Sequence, residues 1–316
     1  MKKGKRLEVD YSMLSSYLGR SATALVFTAI VLIALGALFM DQDDMAHISI
    51  SIGVCAFDST RSGPALEALA DFVRERGGGN IQWQYFRPGQ KPTGCDFYLM
   101  TSVQLAPRLI AGELDCCLIV AMREARRYAK GVVITRAGRE DFAPHDAKVI
   151  FTSPLSANGF LSPYLVLREM GMDRPVHEDK MDFAGYYPND ERVVLGVLFG
   201  AYQAGGLSFE RLRLLEELGV VRKGELQILR EGRSFPEVVL AADRSIDQKK
   251  RKGFTERFIA ITEQVPDPLK ASLTLIGVSG FIRPKQNDLN LIRELHSLIP
   301  PELVDQLLTQ VIMHGG

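Results

Sequence analysis

Phe151-Thr-Ser-Pro-Leu-Ser-Ala-Asn-Gly-Phe-Leu-Ser-Pro-Tyr164 joins a short apolar strand to a helix through a polar corner that contains a glycine. Such a corner is suited to holding an anion. Ser153, Ser156 and Asn158 can cap or line the turn, and Gly159 lets the backbone approach closely. The first amides of the following helix have no partner within it and sit at the positive end of its dipole. An ordinary serine-capped helix explains the same residues without a ligand.

Around this corner, strand-like and helix-like segments alternate, which indicates an α/β fold with largely parallel sheets. Strands are expected at Ile48 to Cys55, Ile81 to Phe86, Leu114 to Val120 and Lys148 to Thr152. Helices are expected at Pro64 to Arg76, Val103 to Ala111, Asn158 to Met170, Glu191 to Phe199 and Leu207 to Leu218. Gly77-Gly-Gly79 follows a helix and precedes a strand, so it stops the helix and does not cradle a phosphate. Val132 to Thr135 and Glu237 to Ala242 are the expected crossings between two lobes.

The division that follows puts 41–130 and 245–316 in the first lobe and 131–244 in the second. Open α/β sheets bind ligands beyond the C-terminal ends of their strands, so the corners of both lobes should face the cleft between them. Candidate ligand contacts are Asp58, Ser59, Thr101, Ser102, Ser153, Ser156, Asn158, Gly159, Asp190 and Gln203.

The order of several short motifs gives the chain a relative. The corner resembles the Pro-x-Ser-Thr-Ser-Gly-x-x-x-Pro corner of the phosphate-, phosphite- and phosphonate-binding proteins that serve ABC transporters. Ile48-Ser-Ile-Ser-Ile-Gly-Val-Cys-Ala-Phe-Asp58, Ala111-Gly-Glu-Leu-Asp115 and Asp190 to Gly206 resemble further parts of that family in the same order, so the likeness spans roughly 47 to 285. It implies a two-lobed type II periplasmic-binding fold, a small anionic or polar ligand, and a permease or other membrane subunits as partners.

The match has departures. Ser156, Ala157, Asn158 and Gly159 stand where the family has Ser-Thr-Ser-Gly, while Asp190 and Gln203 replace a histidine and an aspartate. Tyrosines of the family's first lobe align with Ser102 and Ile119. An unneutralised Asp190 would oppose a dianion, so it must either cap its helix or meet an arginine, for which Arg61 and Arg123 are candidates.

Composition limits the alternatives. The 316 residues are 46% hydrophobic and 24% charged with a formal net charge of zero, which describes a folded protein with no basic face for nucleic acid. Lys249-Lys-Arg-Lys252 reads as a solvated helix start. The five histidines are scattered without metal-ligand spacing. The chain has no GxSxG elbow, Walker lysine or GxGxxG loop, and no motif pairs its carboxylates. No enzyme, metal or cofactor is therefore expected. The four cysteines, Cys55, Cys95, Cys116 and Cys117, permit disulfides, but the vicinal pair lies in an apolar strand and should remain as buried thiols.

Ser21 to Met40 carries no charge, and as a helix it would span about 30 Å, the thickness of a bilayer core. Basic residues precede it and Asp41, Asp43 and Asp44 follow it, an asymmetry that leaves 1–20 in the cytoplasm and the rest outside. A single-pass inner-membrane anchor fits better than a cleavable signal peptide, whose apolar core is shorter. Two functions remain: an anchored solute-binding domain, or a binding fold repurposed as a structural or regulatory subunit of a membrane complex.

Overall fold

The computed structural model describes residues 48–299 except 88–89, 123–125, 140–141 and 173–180. The segment 21–40 and its expected membrane helix lie outside these residues, and among the described residues no helix is long and apolar enough to cross a membrane. The described residues from Ser49 onward belong to one unit.

Within it, two sheets form the two lobes of a mixed α/β fold. The first lobe opens with β1 (Ser49–Val54), α1 (Ser59–Glu75), β2 (Asn80–Tyr85), β3 (Phe97–Thr101), α2 (Ser102–Ile110) and β4 (Leu114–Ala121). The chain then crosses to β5 (Ala129–Arg136), β6 (Val149–Phe151), a π-helical turn (Ala157–Leu161), α3 (Ser162–Glu169), β7 (Met181–Phe183), α4 (Asp190–Leu198), β8 (Ala204–Ser208), α5 (Phe209–Glu217) and β9 (Leu226–Phe235). It returns through β10 (Val238–Asp243), α6 (Gln248–Thr262), α7 (Asp267–Leu275), β11 (Gly280–Ile282) and α8 (Gln286–Leu298).

The sheet orders are β11-β4-β10-β3-β1-β2 and β7-β6-β8-β5-β9. Strand β1 runs parallel to β2 and β3, and β6 parallel to β7 and β8. The crossing strands are antiparallel: β10 inserts between β3 and β4, and β5 lies between β8 and β9. Because β10 is wholly inside the first sheet, the second crossing is Pro236-Glu237, and the expected boundary at 244/245 moves back to just before Val238.

Helix starts differ from expectation where a cap lies further upstream. Helix α1 begins at Ser59, not Pro64, because Asp58 caps it by accepting the Thr60 amide at 2.9 Å. Its end is as read: Gly77 has φ 69°, and the Gly78 amide returns to the Val73 carbonyl at 2.9 Å. Helix α2 carries a capping box between Thr101 and Gln104.

Five strands, β3, β7, β8, β9 and β11, escaped the sequence reading. β8 occupies part of the expected Leu207 to Leu218 helix, which begins only at Phe209. The glycines of β8 make the sheet fit its neighbours: a Cβ on Gly205 would lie 2.7 Å from Val193 Cγ1, and one on Gly206 would lie 2.5 Å from Phe151 Cδ1. β9 is an edge strand whose middle, Arg230-Glu-Gly-Arg233, is solvent-facing and so lacks an apolar run.

Candidate functional site

A cavity of about 440 Å³ lies between the lobes, against the C-terminal ends of β1, β3, β6 and β8. The first lobe contributes Asp58, Arg61, Ser62 and Thr101, together with Leu275-Ile-Gly277 at the end of α7. The second contributes Thr152, Ser156, Gly159, Tyr186 to Asp190, Ser208 and Arg211. Glu237, from the second crossing, lies between them.

The corner after β6 is formed as the sequence suggests, by Ser156 capping and Gly159 allowing close approach. Ser156 is the N-cap, and its hydroxyl accepts the Gly159 amide at 2.7 Å. A Cβ on Gly159 would sit 1.9 Å from Thr152 Oγ1 and 2.7 Å from Ser156 Oγ, so only glycine lets these groups meet. The helix starts with a π turn in which the amides of Phe160 and Leu161 share the Ser156 carbonyl, each at 3.2 Å.

What fills this corner is a carboxylate of the protein itself. Ser156 Oγ donates to Glu237 Oε1 at 2.5 Å, while the Asn158 amide and Nδ2 donate to Oε2 at 2.9 and 2.5 Å. Burial pushes the Glu237 pKa up, the Ser156 and Asn158 hydrogen bonds pull it down, and the Asp190 charge adds a smaller upward push. The Glu237 carbonyl also accepts the Ser102 amide at 2.9 Å at the start of α2. One residue of the crossing thus satisfies helix N-termini in both lobes.

Asp190 is not the cap of α4; Asn189 is, accepting the Arg192 amide at 3.2 Å. Asp190 is the first helical residue and pairs with Arg211, whose Nε lies 2.8 Å from Oδ2. The neutralising arginine comes from α5, not from Arg61, which lines the first-lobe side, while Arg123 lies outside the described residues. Arg211 also reaches across the cleft and donates Nη1 to the Leu275 carbonyl at 3.0 Å. A second interlobe bond runs from Tyr187 OH to the Phe86 carbonyl at 2.9 Å, and burial pushes the Tyr187 pKa up to about 12. The rings of Tyr186 and Tyr187 meet edge to face, with centroids 5.0 Å apart.

Among the expected contacts, Asp58, Thr101, Ser156, Gly159 and Asp190 come together in the cavity lining, and Ser59, Ser102, Ser153, Asn158 and Gln203 do not. Ser59 is exposed on α1, and the Ser102 hydroxyl is buried without a partner. Ser153 donates to the Tyr186 carbonyl, and Asn158 binds Phe235 main chain through Nδ2 at 3.0 Å and Oδ1 at 3.1 Å. Gln203 lies at the opposite end of β8, where its Oε1 accepts the Lys148 amide at 2.6 Å. Thr152, Ser208, Arg211 and Glu237 were missed. Position after a strand would have found Thr152; Ser208 ends the unexpected β8, and the other two arrive through long-range folding. Thr152 is 1% exposed, and its hydroxyl has no hydrogen-bond partner.

Among the described residues no cluster of His, Cys, Asp and Glu is arranged to hold a metal. All four cysteines are free. Burial pushes Cys55 up to about 12 and Cys117 up to about 11.

Comparison with known proteins agrees with this architecture. Residues 109–289 match the family model described as ABC transporter, phosphonate, periplasmic substrate-binding protein. A binding-protein component of an ABC phosphonate transporter from Pseudomonas aeruginosa is similar with a TM-score of 0.60 at 12% identity, over 84% of this chain and 95% of that one. PhnD1 from Prochlorococcus marinus, in complex with methylphosphonate, gives 0.59 at 14%, over 79% and 97%. XAC2383 from Xanthomonas citri, bound to ATP, gives 0.60 at 14%, over 85% and 99%. No curated protein matches the sequence. At these identities the structural likenesses establish the fold, and the family model, which covers more than half of the chain, establishes that the protein belongs to the phosphonate-type periplasmic substrate-binding proteins of ABC transporters.

Proposed function

We propose that this protein captures a small polar solute between its lobes outside the cytoplasmic membrane, held there by the apolar segment 21–40, and hands it to a permease or sensor. Family membership supports the solute-binding role. The observation that carries the reading is the cavity of about 440 Å³, which gathers the polar corners of both lobes beside the unpartnered Thr152 hydroxyl. Tyr187 and Arg211 bridge the lobes at its edge, as expected for a hinge that closes over a ligand. The role asks for no catalysis.

The test is a thermal-shift screen of the purified protein against anions, polyols and amines. A ligand at 100 times its dissociation constant adds about 2.7 kcal/mol of stability. The second reading, a binding fold used as a structural or regulatory subunit, is favoured by Glu237, which joins the two lobes without any solute. A screen with no responding compound, together with stable co-purification with membrane subunits, decides for that reading.

A further inference from the structure

The corner that makes this fold suited to anions has already spent its donors. The Asn158 amide and Nδ2 and the Ser156 hydroxyl all point at the Glu237 carboxylate. The Gly159 amide is used by Ser156 Oγ, and those of Phe160 and Leu161 by the Ser156 carbonyl. In each contact to Glu237 the corner donates, so the carboxyl acts as an acceptor. A phosphoryl group entering this corner would have to displace a carboxylate that is 9% exposed and is tied through its main chain to α2.

The charges lining the cavity point the same way. Asp58, Asp190 and Glu237 face Arg61 and Arg211, and Arg211 is committed to Asp190. That leaves two carboxylates against one guanidinium. The polar atom left over is an acceptor as well as a donor: the Thr152 hydroxyl, beside the corner and without a partner.

Resting on the solute-binding reading above, we propose that Glu237 sets the specificity of the cleft, excluding phosphate- and phosphonate-type dianions in favour of a solute that presents hydrogen-bond donors, an alcohol or a protonated amine. Such a solute binds the free lone pairs of Glu237 and Thr152 and leaves the corner intact. A dianion meets an excess of like charge, two carboxylates against the single guanidinium of Arg61, and a corner whose main-chain amides are already spent.

Titration calorimetry on the full-length protein in detergent tests this, with inorganic phosphate, methylphosphonate, sorbitol and putrescine as probes, on wild type, Glu237→Gln and Glu237→Ser. The wild type is expected to ignore both anions and to respond to the polyol or the amine. Glu237→Ser, which empties the corner of its carboxylate, is expected to gain at least ~10-fold in methylphosphonate affinity, about 1.4 kcal/mol. Glu237→Gln keeps the shape and removes the charge, so it should fall between them and gives the same reading if the serine variant does not fold.

Methylphosphonate or phosphate binding by the wild type that is equal in or weakened by both variants overturns the proposal and leaves solute binding standing. So does a wild type that binds the polyol or amine alongside folded variants that stay silent toward methylphosphonate. Silence of all three proteins toward all four probes removes the solute-binding reading, and this proposal with it.

Discussion

Arg211 joins a buried carboxylate to the opposite lobe, and removing it should be expensive in a way that removing its partner is not. The Asp190 side chain is 7% exposed and that of Arg211 23%, with Nε 2.8 Å from Oδ2. Arg211→Met keeps most of the apolar stem but leaves Asp190 buried without its counter-ion, a situation that typically costs about 3–5 kcal/mol. The cavity admits water and Arg211 is partly exposed, so the expected loss is discounted to about 2–3 kcal/mol. Asp190→Asn leaves Arg211 with solvent and its bond to the Leu275 carbonyl, so about 1 kcal/mol is expected from one weakened charge-assisted contact. The double variant should then be less destabilised than the sum, by at least about 1 kcal/mol of coupling. Urea denaturation at constant slope measures all four proteins. The only tryptophan, Trp83, lies on β2 and reports the first lobe alone, so circular dichroism must show the same transitions. Additivity of the two single changes to within about 0.5 kcal/mol would refute the view that this pair is one energetic unit.

Three further predictions concern the same cleft. Gly159→Ala forces a methyl group against Thr152 Oγ1 at 1.9 Å and should destabilise by about 1–3 kcal/mol, seen as a lowered urea midpoint; an unchanged midpoint would show that the corner is looser than described. Burial raises the Glu237 pKa above its ordinary 4.5, so its stabilising contribution is complete below that value and is lost as pH rises through the higher folded-state pKa. The stability of wild type minus that of Glu237→Gln should therefore grow as pH falls from neutral toward about 4.5, and a gap that shrinks over that interval counts against the assignment. Tyr187→Phe removes the bond to the Phe86 carbonyl and should cost about 0.5–1.5 kcal/mol of the closed arrangement, read as a larger radius of gyration in small-angle scattering; an identical radius denies that bond a role in closure.

Much of the scaffold was legible because its causes are local. The Thr101 cap with Gln104, the Ser156 cap with Gly159 and the stop at Gly77-Gly78-Gly79 are settled within a few residues of chain. Apolar runs such as Leu114 to Val120 announced buried strands. β8 and β9 had no such signal. β8 is a strand because small residues are needed beneath Val193, Phe151 and Pro163, a demand made by elements distant in sequence. β9 carries its charges on the open face of an edge strand, where pairing with β5 decides its conformation.

The site divides along the same line. A corner's capacity for an anion is written in its own residues: a serine cap, a glycine and a helix start. Its occupant is not, since Glu237 reaches Asn158 from 79 positions away and Arg211 reaches Asp190 from 21. Substituting the family's hydroxyl by Asn158 looks like a weakening when the corner is read alone. Beside Glu237 and Phe235, the same asparagine supplies a second donor to the carboxylate and an amide pairing with the crossing strand. These contacts, with that of the Glu237 carbonyl to the Ser102 amide, make the altered corner a built joint between the lobes.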